Sequence, residues 1–377
     1  MDFTYSEEQQ MLADSLRRFI DTEYTFEARR KSSRAGEALD RGLWNKLAEM
    51  GVLGLTVPAD FGGFGEGAAS QLVVQRELGR GLVLEPVTPS GVMSAAILSA
   101  YGSQPQKEQW LPAIAGGERI VTLAYLEPTT RYRPETARAS AERNGSGYVL
   151  NGTKSLVWHG ASADAYLLTA RIAGSNDVAL FLVPRGSAGL TVTGYPTIDG
   201  LRAADVSLQN VTVGADALVG QPADGLAALG LGMEHGVAAL CAEGAGAMEK
   251  LIEITGEYLG TRRQFGKPLA AFQALQHRMA DMLVQKELAL SMAYVAVQAL
   301  DETDPARRRR MLSAAKVTLA RAGRYVGQQA VQLHGGMGMT DELSVGDYFK
   351  RLTMLDQLLG DSDYHLQRFG EVMETAA

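Results

Sequence analysis

Residues 261–282 read TRRQFGKPLAAFQALQHRMADM and join two long apolar segments. Gly266 and Pro268 end the preceding helix, because glycine lacks a Cβ and proline lacks the N–H that a helix interior needs. Arg262 and Arg263 stand in the last turn before this break, either as solvated charges or as ligands for an anion outside the helix. Apolar residues then recur at helical spacing and predict a second buried face, at Leu275, Met279, Met282 and Leu283.

The composition indicates a globular protein of two or three domains, because 377 residues are too many for one simple core. A net charge of −7 argues against a nucleic acid or an anionic membrane as the main partner. The single cysteine, Cys241, excludes an internal disulfide, and no Cys/His cluster has metal-ligand spacing. We therefore expect neither a metal nor a disulfide framework.

The N-terminus predicts a cytoplasmic protein. Residues 1–8 carry acidic side chains where a signal or transit peptide would carry basic ones. No apolar run approaches the roughly 20 residues that a bilayer-spanning helix needs, so we expect no membrane association.

Three regions follow one another along the chain and predict an α+β protein of several domains. Residues 1–119 have helical periodicity, with Ser6 as a candidate N-cap before two acidic residues. Residues 120–224 contain short β-rich runs with turn signals such as Asn144–Gly147, which favour an antiparallel barrel or sandwich. Residues 225–377 return to helical periodicity.

The corner at residues 261–282 resembles the start of the second long C-terminal helix in acyl-CoA dehydrogenases, where Arg-x-Gln-Phe-Gly-Lys is followed by a glutamine. The resemblance extends over essentially the whole chain, including the order of the domains. It implies a C-terminal four-helix bundle and FAD as the cofactor. In that family this corner crosses a subunit boundary and contacts the flavin of the neighbouring protomer, which implies cofactor contacts for Arg262, Phe265 and Gln273.

A second motif supports the same resemblance. Residues 332–338 read QLHGGMG and are similar to the family's Gln-x-x-Gly-Gly-x-Gly, where the backbone closely approaches the adenine end of FAD. The resemblance therefore implies that Gln332, Gly335 and Gly336 bind the cofactor.

The β-rich region departs from the family at two flavin-binding segments. Residues 125–131 read YLEPTTR, which keeps the family's Glu-Pro but lacks its Gly-Ser-Asp. Trp158 stands where the family has a threonine that bonds flavin N5, and an indole offers only an N–H donor. The resemblance implies flavin contacts for Leu126 and Trp158, and both departures weaken them.

The family's catalytic carboxylate precedes the last helix, and aligning residues 366–369 with the family places Asp361 there. Asp361 is either the base that removes the substrate's α-proton or the cap of the final helix. Some members carry the base on the first long C-terminal helix instead, which makes Glu234 the alternative. Glu243 is expected to face a helix neighbour. His235 and His334 could also act as bases, although we expect each of them to pack or to cap a helix.

The degraded β-region loop, Trp158 and the turn GDSD at residues 360–363 resemble the small subunits of heteromeric bacterial acyl-CoA dehydrogenases, such as the small subunit of pimeloyl-CoA dehydrogenase. The resemblance implies FAD-dependent α,β-dehydrogenation of a bulky, dicarboxylic or steroid-side-chain acyl-CoA. The implied partners are a related subunit in a heterotetramer, or copies of the chain in a homotetramer, and an electron-transfer flavoprotein. The alternatives are a non-catalytic subunit that completes its partner's flavin site, and a nitroalkane-oxidase-like or flavin-monooxygenase-like relative.

Overall fold

The N-terminal region is helical, as its periodicity predicts. A computed structural model describes residues 5–35 and 39–374. Ser6 begins the first helix through a capping box, in which Ser6 Oγ accepts from Gln9 N at 3.2 Å and Gln9 Oε1 accepts from Ser6 N at 3.1 Å. The helices of this region are α1 (Glu7–Thr22), α2 (Phe26–Ala35), α3 (Arg41–Glu49), α4 (Ala68–Gly81), α5 (Ala95–Tyr101) and α6 (Gln104–Ala115), with a π-helical segment at Val87–Ser94.

The middle region forms a mostly antiparallel sheet. Its order is β6-β7-β3-β2-β4-β5-β8, and β1 pairs with β4. The predicted hairpin is confirmed, because Asn144 pairs with Gly147 across a turn in which Gly145 has a φ of 59°. The pairs β1–β4 and β2–β4 are parallel. The strands are β1 (Val121–Ala124), β2 (Ser140–Asn144), β3 (Gly147–Trp158), β4 (Ala165–Ile172), β5 (Val178–Pro184), β6 (Leu190–Pro196), β7 (Arg202–Val213) and β8 (Leu218–Val219).

The C-terminal region is helical and contains the predicted corner. A two-strand hairpin, β9 (Arg263–Gln264) with β10 (Lys267–Pro268), separates the first two helices. Phe265 and Gly266 form its turn with φ values of 54° and 79°. The helices are α7 (Gly225–Thr261), α8 (Gln273–Ala299), α9 (Pro305–His334), α10 (Val345–Gln357) and α11 (Ser362–Glu374).

The buried face of α8 differs from the predicted one. Met282 is fully buried, but Leu283 is 47% exposed, so the prediction was wrong at Leu283. Small side chains form most of this face because they let neighbouring helices approach closely, whereas the larger apolar residues Val284 and Leu288 stay exposed. The buried residues of α8 are Met282, Lys286, Ala289, Ala293, Ala296 and Ala299.

The chain forms two compact units that are not continuous in sequence. The helical unit comprises the described parts of Met1–Lys31, Ala68–Val83 and Val237–Ala377. The sheet unit comprises the described parts of Ser32–Gly67 and Leu84–Gly236. The boundaries near residues 119 and 224 stay a sequence-based prediction.

The helical segment that includes α7 and ends at Thr261 is long and strongly apolar. Within the described residues, Pro222–Thr261 has the length and composition of a membrane span, so the expectation that no apolar stretch is long enough was wrong. In the structure 67% of its most apolar window is buried, which is the environment of a core helix.

Two glycines allow α4 and α7 to meet backbone to backbone. A Cβ on Gly246 would lie 1.9 Å from the Arg76 carbonyl oxygen, and one on Gly79 would lie 2.0 Å from the Glu243 carbonyl oxygen. Glu249 joins the same helices, accepting from Arg76 at 2.6 Å and from Arg80 at 2.9 Å. This crossing fixes α4 against the C-terminal helices.

We predict that Gly246→Ala destabilises the protein by about 1–3 kcal/mol or more, because the new methyl group forces α4 and α7 apart. Gly260→Ala on the same helix is the matched control, since no atom lies within 4 Å of its added Cβ. The control should be neutral or stabilising by up to about 1 kcal/mol. Thermal and denaturant unfolding measure both variants, and equal stability of the two would contradict the contact.

Candidate functional site

The C-terminal ends of α7 and α9 lie side by side in the helical unit. The Tyr258 ring stacks on His334 with 4.3 Å between centroids, and Tyr258 Oη donates to the His334 carbonyl at 3.4 Å. Tyr258 is one turn before Arg262, and His334 directly precedes Gly335. The stacked rings therefore bring Arg262 close to the Gly335–Gly336 turn.

The start of α8 reaches the same place. Arg278 Nη1 donates to Gln329 Oε1 at 3.4 Å, and Tyr325 Oη donates to Asp281 Oδ2 at 3.4 Å. These two bonds fix an antiparallel register between α8 and α9. The register places Gln273, at the start of α8, level with the end of α9.

We name six residues at this end the corner cluster, and all of them are exposed. Phe265 is 89% exposed although it is a large apolar side chain. No atom lies within 4 Å of a Cβ built on either Gly335 or Gly336, so the space beside this turn is open. The corner cluster consists of Arg262, Phe265, Gln273, Gln332, Gly335 and Gly336.

The chemistry of the corner cluster fits one end of a dinucleotide. An arginine supplies charged N–H donors for a phosphate, and glutamine amides can both donate to and accept from a purine or a ribose. Glycine backbone without side chains permits close approach of a flat ring. These residues therefore fit the adenosine-diphosphate part of FAD.

The loop after β1 is anchored by a buried ion pair in the sheet unit. Lys154 is fully buried, and its Nζ donates to Glu127 Oε1 at 2.5 Å and to Thr169 Oγ1 at 3.0 Å. The Glu127 carboxylate also accepts from Arg138 N at 2.8 Å and Ala139 N at 3.1 Å. Burial alone would raise the pKa of Glu127, but Lys154 and the two backbone N–H groups lower it overall.

This ion pair is a feature that the sequence reasoning missed. In the sequence, the Glu-Pro dipeptide at residues 127–128 indicates only part of a flavin-binding motif. In the structure its carboxylate clamps residues 127–139 onto the sheet. The available signal was a lysine within a predicted strand, the run of residues 148–154.

Leu126 and Trp158 lie on neighbouring segments of the sheet unit. The Leu126 carbonyl accepts from Ser155 N at 2.9 Å, and the Trp158 carbonyl accepts from Thr122 Oγ1 at 2.7 Å. Both side chains are half-buried. The structure thus places these two predicted residues on adjacent segments of the sheet unit, whereas the corner cluster belongs to the helical unit. Their flavin contacts stay a prediction.

Asp361 caps α11. Its Oδ1 accepts from Tyr364 N at 2.9 Å, and its carbonyl accepts from His365 N at 3.0 Å. A carboxylate has two oxygens with several acceptor positions, so this cap is compatible with proton transfer. The alternative base, Glu234, is half-buried on the part of α7 that belongs to the sheet unit.

Glu243 and His334 pack against helix neighbours, as predicted. Arg351 binds Glu243 through two hydrogen bonds of 2.6 and 3.0 Å, which join α10 to α7. His334 stacks on Tyr258 and places Nδ1 2.8 Å from the Ala330 carbonyl oxygen. Burial lowers the pKa of His334.

Comparison with known families finds matches along the chain. Three family descriptions match, the acyl-CoA dehydrogenase N-terminal domain over residues 6–118, the middle domain over 122–211 and the C-terminal domain over 223–374. Acyl-CoA dehydrogenase FadE27 of Mycobacterium tuberculosis is 31% identical to this chain, and the match covers 100% of both proteins.

Two solved structures are also similar. The ChsE4–ChsE5 complex of Mycobacterium tuberculosis has a TM-score of 0.90 and 29% identity, with 99% of each chain covered. A variant of the Tcur3481–Tcur3483 steroid acyl-CoA dehydrogenase has a TM-score of 0.88 and 28% identity, with 98% of each chain covered.

The order of a helical, a β-sheet and a second helical region agrees with these matches. The corner cluster adds a donor set that fits part of FAD. This chain therefore belongs to the acyl-CoA dehydrogenase family, whose members are FAD-dependent oxidoreductases.

Proposed function

We propose that this chain is one subunit of a hetero-oligomeric acyl-CoA dehydrogenase that forms α,β-unsaturated thioesters from bulky acyl-CoA esters, such as those of steroid side chains. Support for the pairing comes from similarity to the ChsE4–ChsE5 complex, which joins two different chains. Support for the substrate comes from similarity to the Tcur3481–Tcur3483 steroid enzyme. A cytoplasmic location and an electron-transfer flavoprotein as acceptor belong to the same proposal.

The corner cluster is the observation that carries this proposal. Arg262 is exposed and makes no ion pair with any other residue of ranges 5–35 and 39–374. Phe265 next to it is 89% exposed, and on α8 Leu283, Val284 and Leu288 are between 47% and 55% exposed. An exposed aromatic ring beside a vacant charged donor, together with the exposed apolar residues of α8, favours coverage by another subunit. We infer that this subunit brings the FAD whose diphosphate Arg262 binds.

The proposed reaction removes two hydrogens from the acyl chain. FAD, when bound, accepts the β-hydrogen together with its electron pair as a hydride. The α-proton passes to the Asp361 carboxylate, and the electron pair of that C–H bond becomes the Cα=Cβ double bond. The thioester carbonyl must accept hydrogen bonds during this step, because an unactivated α-C–H is too weak an acid for a carboxylate.

A second candidate function is that of a non-catalytic subunit that completes its partner's flavin site. Asp361 Oδ1 already bonds Tyr364 N at 2.9 Å, as a simple helix cap would. Trp158, in place of a threonine, offers no hydroxyl at the position expected to contact the flavin. In this alternative the corner cluster keeps its role, and the base lies on the partner.

We predict that Arg262→Ala weakens FAD binding by the assembled enzyme at least tenfold. A charge-assisted hydrogen bond to a phosphate contributes about 1.5–3 kcal/mol. Arg263→Ala is the matched control, because the Arg263 guanidinium bonds the Gly266 carbonyl within its own hairpin at 3.3 Å. Quenching of flavin fluorescence gives both dissociation constants. Equal dissociation constants for the two variants would show that Arg262 is a solvated charge that does not contact FAD.

The exposed residues of α8 predict a tetramer built on the C-terminal helices. Val284→Glu with Leu288→Glu should lower the mass of the assembly, because two buried carboxylates oppose association. Ile198→Glu is the control, since Ile198 is 62% exposed in the sheet unit. Light scattering at micromolar concentration with saturating FAD measures the mass. A monomeric parent, or an unchanged mass in the double variant, would refute this assembly.

Asp361→Asn separates the two candidate functions. Asparagine retains the oxygen that caps α11 but is not a base, so flavin reduction by acyl-CoA should slow by about 100-fold or more while the melting temperature changes little. Asp363→Asn is the control, because Asp363 is exposed in the first turn of the same helix. The readout is the single-turnover rate in the assembled enzyme. An unchanged rate would assign Asp361 to capping and place the base at Glu234 or on the partner subunit.

A further inference from the structure

A buried ammonium holds the turn that precedes Asp361. Lys316 lies in the middle of α9 and is fully buried. Its Nζ donates to the Asp356 carbonyl at 2.9 Å and to the Gly360 carbonyl at 2.8 Å. Both bonds go to main-chain oxygens at the end of α10 and in the turn after it. One lysine therefore ties α9 to both sides of this turn.

His365 holds the same turn from α11. Its Nε2 lies 3.0 Å from the Leu359 carbonyl, and its Nδ1 lies 3.2 Å from Ser313 Oγ. A carbonyl can only accept, so Nε2 carries the hydrogen and Nδ1 accepts from the serine hydroxyl. Burial, reinforced by the charge of Lys316, lowers the pKa of His365 to about 3. The imidazole is therefore neutral at physiological pH.

The backbone of this turn has an unusual conformation. Leu359 has a φ of 59° and Gly360 a φ of 107°, and a leucine rarely adopts the left-handed region. A Cβ on Gly360 would lie 2.4 Å from Tyr364 Cδ1 and 2.8 Å from His365 Nε2. Only glycine fits there. The next residue is Asp361, so this turn fixes the backbone position from which the Asp361 side chain extends.

We propose that Lys316 and His365 are positioning residues that hold the 359–361 turn so that Asp361 is presented for removal of the substrate's α-proton. The inference rests on the proposed function of Asp361. Carrying a charge into a protein interior is unfavourable, and apolar residues of similar volume often replace buried charges without loss of stability. A buried ammonium together with a left-handed leucine beside a candidate base favours a functional constraint.

The charge of Lys316 gives the proposal a pH signature. Burial lowers the pKa of Lys316 from an ordinary 10.5 to about 8, opposed by the carboxylates of Asp356 and Asp361. Burial raises the pKa of Cys241 to about 12, so this thiol stays protonated, and His365 stays neutral. Two arginines also face this turn: Arg324 donates to Asp356 Oδ2 at 3.1 Å, and the charge of Arg368 contributes to the lowered pKa of His365. Of these groups, Lys316 is the one that loses a proton near pH 8.

Loss of the Lys316 proton should raise folding stability but lower the rate of flavin reduction. The unfolded chain binds the Lys316 proton more tightly than the folded protein, so this group raises folding stability as pH increases between about 8 and 10.5. The flavin-reduction rate should fall over the same rise, because a neutral amine holds the two carbonyls more weakly. Loss of the Lys316 proton would therefore lower the rate without lowering folding stability.

The test uses the assembled enzyme and three variants. Lys316→Met removes the donors, Lys316→Gln keeps N–H donors without charge, and Lys350→Met is the control at an exposed lysine of α10. Hydrogen exchange of the backbone amides of residues 358–365 reports the turn independently of catalysis. The single-turnover rate of flavin reduction from pH 6 to about 10 reports the positioning of Asp361.

We expect Lys316→Met to speed exchange in this segment at least tenfold, to slow flavin reduction at least tenfold, and to abolish the decrease in rate near pH 8. Lys316→Gln should restore part of the slow exchange, and Lys350→Met should match the parent. Faster exchange with an unchanged rate would show a purely structural lysine. A parent without a decrease near pH 8 would also overturn the proposal, even if the variants do not fold. Slow flavin reduction in Asp361→Asn, with a parental rate in Lys316→Met, would support Asp361 as the base and reject the positioning role of Lys316.

Discussion

The backbone contact between α4 and α7 is the constraint on which the helical unit depends. Gly79 and Gly246 remove the side chains that would separate these helices, and Glu249 joins them through two arginines. On the same helix Glu243 binds Arg351 of α10 at 2.6 Å. The middle of α7 is thus held by α4 and by α10. Its C-terminal end then places Arg262 at the corner, and α10 leads into the turn before Asp361.

The helical unit carries the two proposed functional parts, and these lie far apart. Lys316 and His334 stand on the same helix and are separated by about 27 Å at the usual helical rise of about 1.5 Å per residue. Lys316 bonds the turn before Asp361, and the corner cluster adjoins His334. The carboxylate that we propose reacts beside a flavin ring is therefore remote from the arginine that we assign to a diphosphate. This separation is consistent with one chain contributing to two sites of an oligomer.

The sequence predicted the regular elements because hydrophobic periodicity, capping residues and turn residues act locally. The capping box at Ser6, the hairpin at Asn144–Gly147 and the corner after Thr261 all depend on neighbouring residues. The exposed side of α8 was not predictable in this way. Its packing selects alanines for close approach, whereas a pattern of large apolar residues indicated Leu283 as buried. That choice depends on the distance between helices, which is a property of the whole unit.

The candidate site was predictable only in part, for a different reason. Motifs indicated Arg262, Gln273 and the Gly335–Gly336 turn, and the structure places them at one end of the helical unit. Lys154 and Lys316 were missed because lysines are usually exposed and buried ones have no local signature. The roles of Asp361 could not be separated, since a cap and a base both need the same carboxylate at the start of a helix.

We propose that this chain completes a flavin site together with a second, related subunit. The most direct measurement is the flavin absorbance and mass of the chain purified alone and after co-expression with an acyl-CoA dehydrogenase-type subunit encoded beside it. We expect FAD to be retained, and bleached by a bulky acyl-CoA, only in the hetero-oligomer. A monomer of this chain that retains FAD and is bleached by acyl-CoA on its own would contradict the account.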